Sequence, residues 1–186
     1  MNELLTTQVD AETMARLHAR LEQSADLDVA YRTVDSPIGT LLLAATDKGL
    51  VKVGFDEDLD DLAEKISPRI LKSAKRTDDV ARELDEYFAG TRQRFDVPLD
   101  TRLAHGFRLE VIRHLTDIGY GETASYSRVA DIAGSPKAVR AVGTACALNP
   151  LPVVLPCHRV VRADGAMGQY AGGVAAKRYL LDLERR

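Results

Sequence analysis

A chain of 186 residues, 45% of them hydrophobic, can build one core-bearing unit or two small ones, and its two cysteines, Cys146 and Cys157, are too few for a disulfide framework or a four-thiolate zinc site. The net charge of −3 hides an asymmetry: residues 1–100 hold 13 Lys+Arg against 21 Asp+Glu, a balance of −8, while residues 101–186 hold 12 against 7, a balance of +5, which suits a second half that meets a polyanion. The N-terminus MNELLTTQVDAETMARL has acids where a secretory signal needs an apolar stretch, and the longest uncharged run, residues 141–157, contains three prolines and falls short of the ~20 residues that span a bilayer, so a soluble, cytoplasmic protein with reduced thiols and no membrane partner is expected.

Residues 10–24 carry Met14, Leu17 and Leu21 at helical spacing behind Asp10 as a cap, which predicts a short amphipathic helix within an N-terminal helical extension, residues 1–28. From Val29 the pattern changes to VAYRTVDSPIGTLLLAATDKGLVKVGF, where β-rich runs separated by the turn signals Ser-Pro-Ile-Gly and Asp-Lys-Gly predict an antiparallel meander. Residues 56–65 and 77–89 read as helices, the second with Val80, Leu84, Tyr87 and Phe88 on one face and Gly90 as its stop. FDVPLD, residues 95–100, reads as a linker that ends an N-terminal α/β domain of residues 29–100.

Residues 101–186 are expected to be mostly helical. Residues 107–118 place Phe107, Val111, Leu115 and Ile118 on one stripe, a pattern that needs no role beyond core. Ser125 is a cap for a helix running to Ala133, Gly134 suits its end, and Ser135-Pro136 reads as a second cap followed by proline in the first helical position. Two short helices joined by a tight turn make a helix-turn-helix candidate, although paired helices are more often plain packing. The second helix, PKAVRAVGTACAL, has little side-chain bulk at Ala138, Ala141, Gly143 and Ala145, and one charge, Arg140, stands among them, so it can approach another backbone closely.

The chemistry concentrates in NPLPVVLPCHRVV, residues 149–161, where a proline-boxed apolar run delivers Cys157 against His158 and Arg159. A free thiol is only a few per cent ionised at pH 7, so a nucleophilic cysteine needs a base or a positive charge beside it. Successive side chains of extended chain point to opposite faces, so adjacency alone does not put the imidazole on the sulfur, and a relay through water or a neighbour is needed. Cys146, mid-helix with no such company, reads as core.

PCHRV, residues 156–160, resembles the active-site motif of the O6-methylguanine-DNA methyltransferases (methylated-DNA–protein-cysteine methyltransferases), and the likeness extends through GETASYSRVADIAGSPKAVRAVGTACALNPLPVVLPCHRVV and GQYAGGVAAKRYLLDLE. SPIGTLLLAATDKGL and LDEYFAGTRQRFDVPLD are similar to that family's N-terminal domain, so the resemblance covers roughly residues 29–184. It implies an α+β fold, a small ribonuclease-H-like α/β domain packed on a mostly helical catalytic DNA-binding domain, residues 101–186, with a winged-helix-like helix-turn-helix.

The activity implied is direct-reversal DNA repair, a single-turnover transfer of the O6-alkyl group of guanine to Cys157, with O4-methylthymine as a second substrate to consider, and with no cofactor or metal. Carried onto this sequence, the resemblance makes His158 a water-bridged base, Glu184 the group that orients it, and Asn149 the hinge of the active-site turn. Tyr126 crowds the target phosphate and bonds N3 of the flipped guanine. Backbone groups of Cys157 and Val160 hold its amine, and Tyr170, Ala171 and Gly172 face its ring and O6. Arg140 is the finger that fills the base stack, on a helix whose Ala138, Ala141 and Gly143 lie in the minor groove of double-stranded DNA, and the protein is expected to be a monomer. The sequence departs from the family at Ile112, where a tryptophan is common, at Ala104-His105-Gly106, and at Ala171 in place of serine. Competing readings are a lesion sensor that transfers nothing, against which Cys157 speaks, a helix-turn-helix regulator, and a Cys-His hydrolase, whose pair is normally distant in sequence.

Overall fold

The computed structural model describes residues 10–24 and 27–186. The expected extension of residues 1–28 therefore lies partly outside the described residues. Helix α1, Ala11–Glu22, forms as expected, with Asp10 Oδ1 accepting the Thr13 amide at 2.8 Å, and its stripe of Met14, Leu17 and Leu21 is exposed.

Three antiparallel strands follow, β1 (Val29–Val34), β2 (Leu41–Thr46) and β3 (Gly49–Gly54). Every residue of β2 is buried, because the strand lies centrally in a sheet ordered β3-β2-β1-β4 that is covered on both faces. Burial of each of its three leucines stabilises the fold by about 1.5–3 kcal/mol relative to exposure. The edge strand β4, Ile70–Lys72, pairs in parallel with β1 and has no signal in the sequence, being only three residues long. Helix α2, Asp60–Lys65, covers one face through Leu62 and is shorter than the predicted 56–65, since Asp58 closes a side-chain turn ahead of it by accepting the Asp60 amide. Helix α3, Asp78–Phe88, covers the other with Val80, Ala81, Leu84 and Tyr87. The segment expected to be a linker is pinned instead: Leu99 bridges to Leu50, the Leu50 amide donates to Pro98 O and the Asp100 amide to Leu50 O, both at 2.8 Å.

The helical half contains α4 (Gly106–His114), α5 (Tyr126–Ile132), α6 (Val139–Ala147) and α7 (Gly173–Glu184), with a two-residue parallel pair, β5 (Ala124–Ser125) and β6 (Val160–Val161). The stripe predicted over 107–118 leaves the α-helix at His114 and finishes as a 3-10 turn, Leu115–Asp117, that still buries Leu115. Ser125 caps α5 as predicted, accepting the Arg128 amide at 3.1 Å. The second expected cap is a correction: Ser135 to Ala138 form a turn closed by the Ala138 amide on Ser135 O at 2.8 Å, and α6 begins only at Val139. Ser135 spends its own amide on Ala130 O, at the end of the preceding helix, rather than opening the next one.

The larger of two cores, the smaller lying under α2, runs from Leu41 and Leu43 of the sheet through Tyr87 of α3 to Ile112, Leu115, Leu155 and Leu180. Ile112, where a tryptophan was expected from the resemblance, is fully buried in it. The Val53 amide ties the sheet to the motif-bearing loop by donating to Pro150 O at 2.8 Å, and Phe55, just after β3, lies edge-on at 5.6 Å to Tyr170 in the segment before α7.

Candidate active site

The loop between α6 and β6 carries Asn149, Cys157 and His158. Asn149, 7% exposed, organises it: Oδ1 accepts the Leu151 amide at 3.0 Å, and Nδ2 donates to Leu155 O at 2.8 Å and to Cys157 Sγ at 3.2 Å. Between those contacts Val153 takes φ +73°, a left-handed conformation that costs a β-branched residue roughly 1–2 kcal/mol, and the loop holds it there by burying its side chain. Cys157 to Arg159 then form a single 3-10 turn rather than extended chain, so the opposite-face argument does not apply and Cys157, His158 and Arg159 are all buried.

Glu184, the last residue of α7, lies beneath this turn. His158 Nε2 is 2.8 Å from its Oε1, and Arg159 contacts both carboxylate oxygens, Nε to Oε2 at 2.8 Å and Nη2 to Oε1 at 3.0 Å. Burial alone would raise this carboxyl, but the bonds from His158 and Arg159 outweigh it and hold the pKa at about 2. An ionised Glu184 fixes the imidazole tautomer, with hydrogen on Nε2 and the free lone pair on Nδ1. Burial keeps His158 neutral, its pKa below the ordinary value despite the carboxylate. Nδ1 is buried and has no hydrogen-bond partner among the described residues.

The thiol differs from the expectation of a cysteine activated by a His-Arg pair. Burial pushes Cys157 up to about 11, against the pulls of the Asn149 hydrogen bond and the Lys177 charge. Arg159 serves the carboxylate and Ile118 O, at 2.6 Å, because its side chain leaves the turn on the Glu184 side. The cation that acts on the sulfur is Lys177, fully buried on α7, with Nζ donating to Val160 O at 2.6 Å. That bond occupies one lone pair of a carbonyl expected to meet substrate.

Around this centre, Tyr126 is half-buried at the start of α5, with its hydroxyl at 2.8 Å from where a Cβ on Gly168 would sit, so only glycine fits there. Tyr170 stands edge-on to His158 at 6.3 Å, and Ala171 and Gly172 follow it at the surface before α7. A Cβ on Gly172 would fall 2.4 Å from the Phe55 ring. On α6, Val142, Ala145 and Cys146 face inward, while Arg140 and Ala141 are exposed and Ala138 and Gly143 half-exposed. Among the described residues the Arg140 guanidinium has no hydrogen-bond or ion-pair partner. Cys146 is core, as read from the sequence, and its thiol is raised to about 12 by burial.

Residues 29–101 match the ribonuclease-like domain of 6-O-methylguanine DNA methyltransferase, and residues 106–186 match the DNA binding domain of the same enzymes. The chain belongs to the 6-O-methylguanine DNA methyltransferase family. A methylated-DNA–protein-cysteine methyltransferase of Mycolicibacterium paratuberculosis is 42% identical, over 85% of this chain and 93% of the relative. The constitutive methylated-DNA–protein-cysteine methyltransferase of Bacillus subtilis is 38% identical over 83% and 94%. Among solved structures, Mycobacterium tuberculosis OGT in complex with DNA superposes with a TM-score of 0.75 at 40% identity, covering 84% of this chain and 92% of that one. The family's α+β fold, a small sheet-bearing half and a helical half, is the one observed.

Of the residues expected from the family resemblance, Cys157, His158, Asn149 and Glu184 come together in one buried cluster, with Tyr170 against it, while Arg140 stands apart on the outer face of α6. Lys177 and Gly121 also contribute to the site, although neither belongs to the motif. Lys177 shares the inward stripe of α7 with Leu180 and Glu184, and a lysine on an apolar stripe was the available signal. Gly121, at φ +77°, donates its amide to Glu184 Oε2 at 3.3 Å, and a Cβ there would meet Glu184 O at 2.7 Å. No signal in the sequence ties Gly121 to a glutamate 63 residues away.

Proposed function

We propose that this protein repairs O6-alkylguanine in DNA by transferring the alkyl group, once per chain, to Cys157. One observation carries the reading: a buried thiol, held by Asn149, next in chain to an imidazole whose Nε2 is tied to an ionised Glu184 and whose Nδ1 is open. As Sγ forms its bond to the alkyl carbon, the C–O6 bond breaks and its electron pair stays on guanine. The thiol proton passes through a water to His158 Nδ1, the guanine anion takes one proton at its ring from solvent, and the imidazolium returns its proton to solvent, so only the cysteine is consumed. A thiol near 11 is almost wholly protonated at pH 7, so proton removal accompanies attack instead of preceding it. Lys177 favours the charge that develops on sulfur.

The target base reaches the buried thiol only when it is flipped from the duplex. In this reading Tyr126 and the loop of Tyr170, Ala171 and Gly172 receive the base, while the backbone at Cys157 and Val160 bonds its amine. α6 enters the minor groove, where its small residues allow close approach and Arg140 fills the vacated stack. The division into residues 29–100 and 101–186, a monomeric state and a cytoplasmic location that keeps Cys157 reduced belong to the same reading. Among the described residues no helix is long and apolar enough to cross a membrane.

DNA carrying radiolabelled O6-methylguanine provides the test. The label moves to protein with a limit of one per chain and maps to Cys157, and Cys157→Ser binds DNA while accepting none. Turnover beyond one, or label on Cys146, overturns the proposal.

A further inference from the structure

One of the donors that hold the Glu184 carboxylate comes from the other half of the molecule. Tyr87, near the end of α3 and fully buried, donates its hydroxyl to Oε1 at 2.7 Å. Oε1 thereby receives three donors, Tyr87, His158 Nε2 and Arg159 Nη2, while Oε2 receives Arg159 Nε and the Gly121 amide. The ring of Tyr87 is packed against Phe88 and Phe95, each at 5.4 Å, and against Tyr120 at 6.3 Å, so the hydroxyl has no alternative direction.

We propose that Tyr87 is a positioning residue of the proton relay, by which the sheet-bearing half sets the basicity of His158: its hydroxyl shares Oε1 with the imidazole and limits how strongly the carboxylate can stabilise a proton on that ring. This rests on the alkyl-transfer reading above, with His158 as the proton acceptor. A carboxylate oxygen spreads its charge over the donors it accepts from, so removing one strengthens the bonds that remain. The bond to His158 then favours imidazolium, and the ring becomes protonated at a higher pH. The other ionisable groups facing this pair are Arg159 and Cys157 on the same turn, Lys177 on α7, Tyr120 beside Arg159, and Tyr170 edge-on to the imidazole. None of them changes when Tyr87 becomes phenylalanine.

The test is the single-turnover rate with the free base O6-benzylguanine between pH 5 and 9, for the full-length protein and its variants. Tyr87→Phe deletes one oxygen and keeps the ring. Its acid limb is expected to move up by about half to one pH unit. Phe95→Leu, which loosens the packing around the Tyr87 ring and leaves the hydroxyl, should keep the limb in place. Replacing Tyr87 with 3-fluorotyrosine, a stronger donor of nearly the same size, should move the limb down, and the nitrogen shifts of His158 in an NMR titration should follow the same order. An unmoved or lowered limb in Tyr87→Phe, or an equal shift in Phe95→Leu, overturns the proposal. A wild-type rate with no acid limb overturns the relay reading itself, and the role of Tyr87 falls with it.

Discussion

His158→Gln separates a coupled relay from attack by a pre-formed thiolate. With the Cys157 thiol at about 11, the thiolate fraction at pH 7 is about one in ten thousand, and forming it first costs about 5 kcal/mol. The wild-type relay avoids that cost, so its rate with O6-benzylguanine is flat from about pH 7 to 10 and declines only below the ordinary histidine value of about 6.5, where His158 charges. Glutamine can still donate to Glu184 but cannot take up a proton. The variant must therefore ionise the thiol independently, and its rate should climb tenfold per pH unit toward 11. The expected deficit is roughly 1,000- to 10,000-fold at pH 7 and about tenfold at pH 10, given that a pKa unit is a factor of ten. Stopped reactions quantified by mass spectrometry of the alkylated protein measure both. A variant slowed by the same factor at pH 7 and pH 10 would rule out the relay, because the lost function would not be proton transfer.

Glu184→Gln removes the partner of a buried arginine and should cost about 3–5 kcal/mol of stability in urea unfolding, more than a change confined to reactivity would show. The Glu184 carboxyl is held at about 2 in the fold against 4.5 ordinarily, so its contribution is complete above pH 4.5 and is lost as pH falls toward 2; Glu184→Gln should lose less stability over that window than wild type, the remainder coming from other lowered carboxyls such as Asp100. Asn149→Ala leaves the buried Leu151 amide unpaired and removes one of the two donors to the Leu155 carbonyl, for roughly 1–3 kcal/mol, and slows transfer to free base and duplex alike. Arg140→Ala should slow duplex repair by roughly 10- to 100-fold, the scale of an unstacking cost, with the free base nearly unaffected. Equal slowing of both substrates would make Arg140 part of the fold of the site.

Local chemistry determined much of this protein from the sequence alone. Asp10 and Ser125 announce their helices because a cap acts within three residues, and the unbroken apolar run of β2 announces a strand buried on both faces. Cys157 and His158 are legible because they share one turn, and Asn149 because it lies in the same loop. What depends on approach across distance was decided by the tertiary structure. β4 exists only because β1 offers it an edge, and 95–100 is tied down because β3 pairs with it. Arg159 turned from the thiol to Glu184 because burial leaves a carboxylate no water to satisfy it, and it must collect donors from Tyr87, Gly121 and the His158-Arg159 turn, three separate segments of the chain. The same burial raised the thiol that the sequence pattern suggests is activated. Desolvation is a property of the whole packed core, and no spacing of residues along a chain records it.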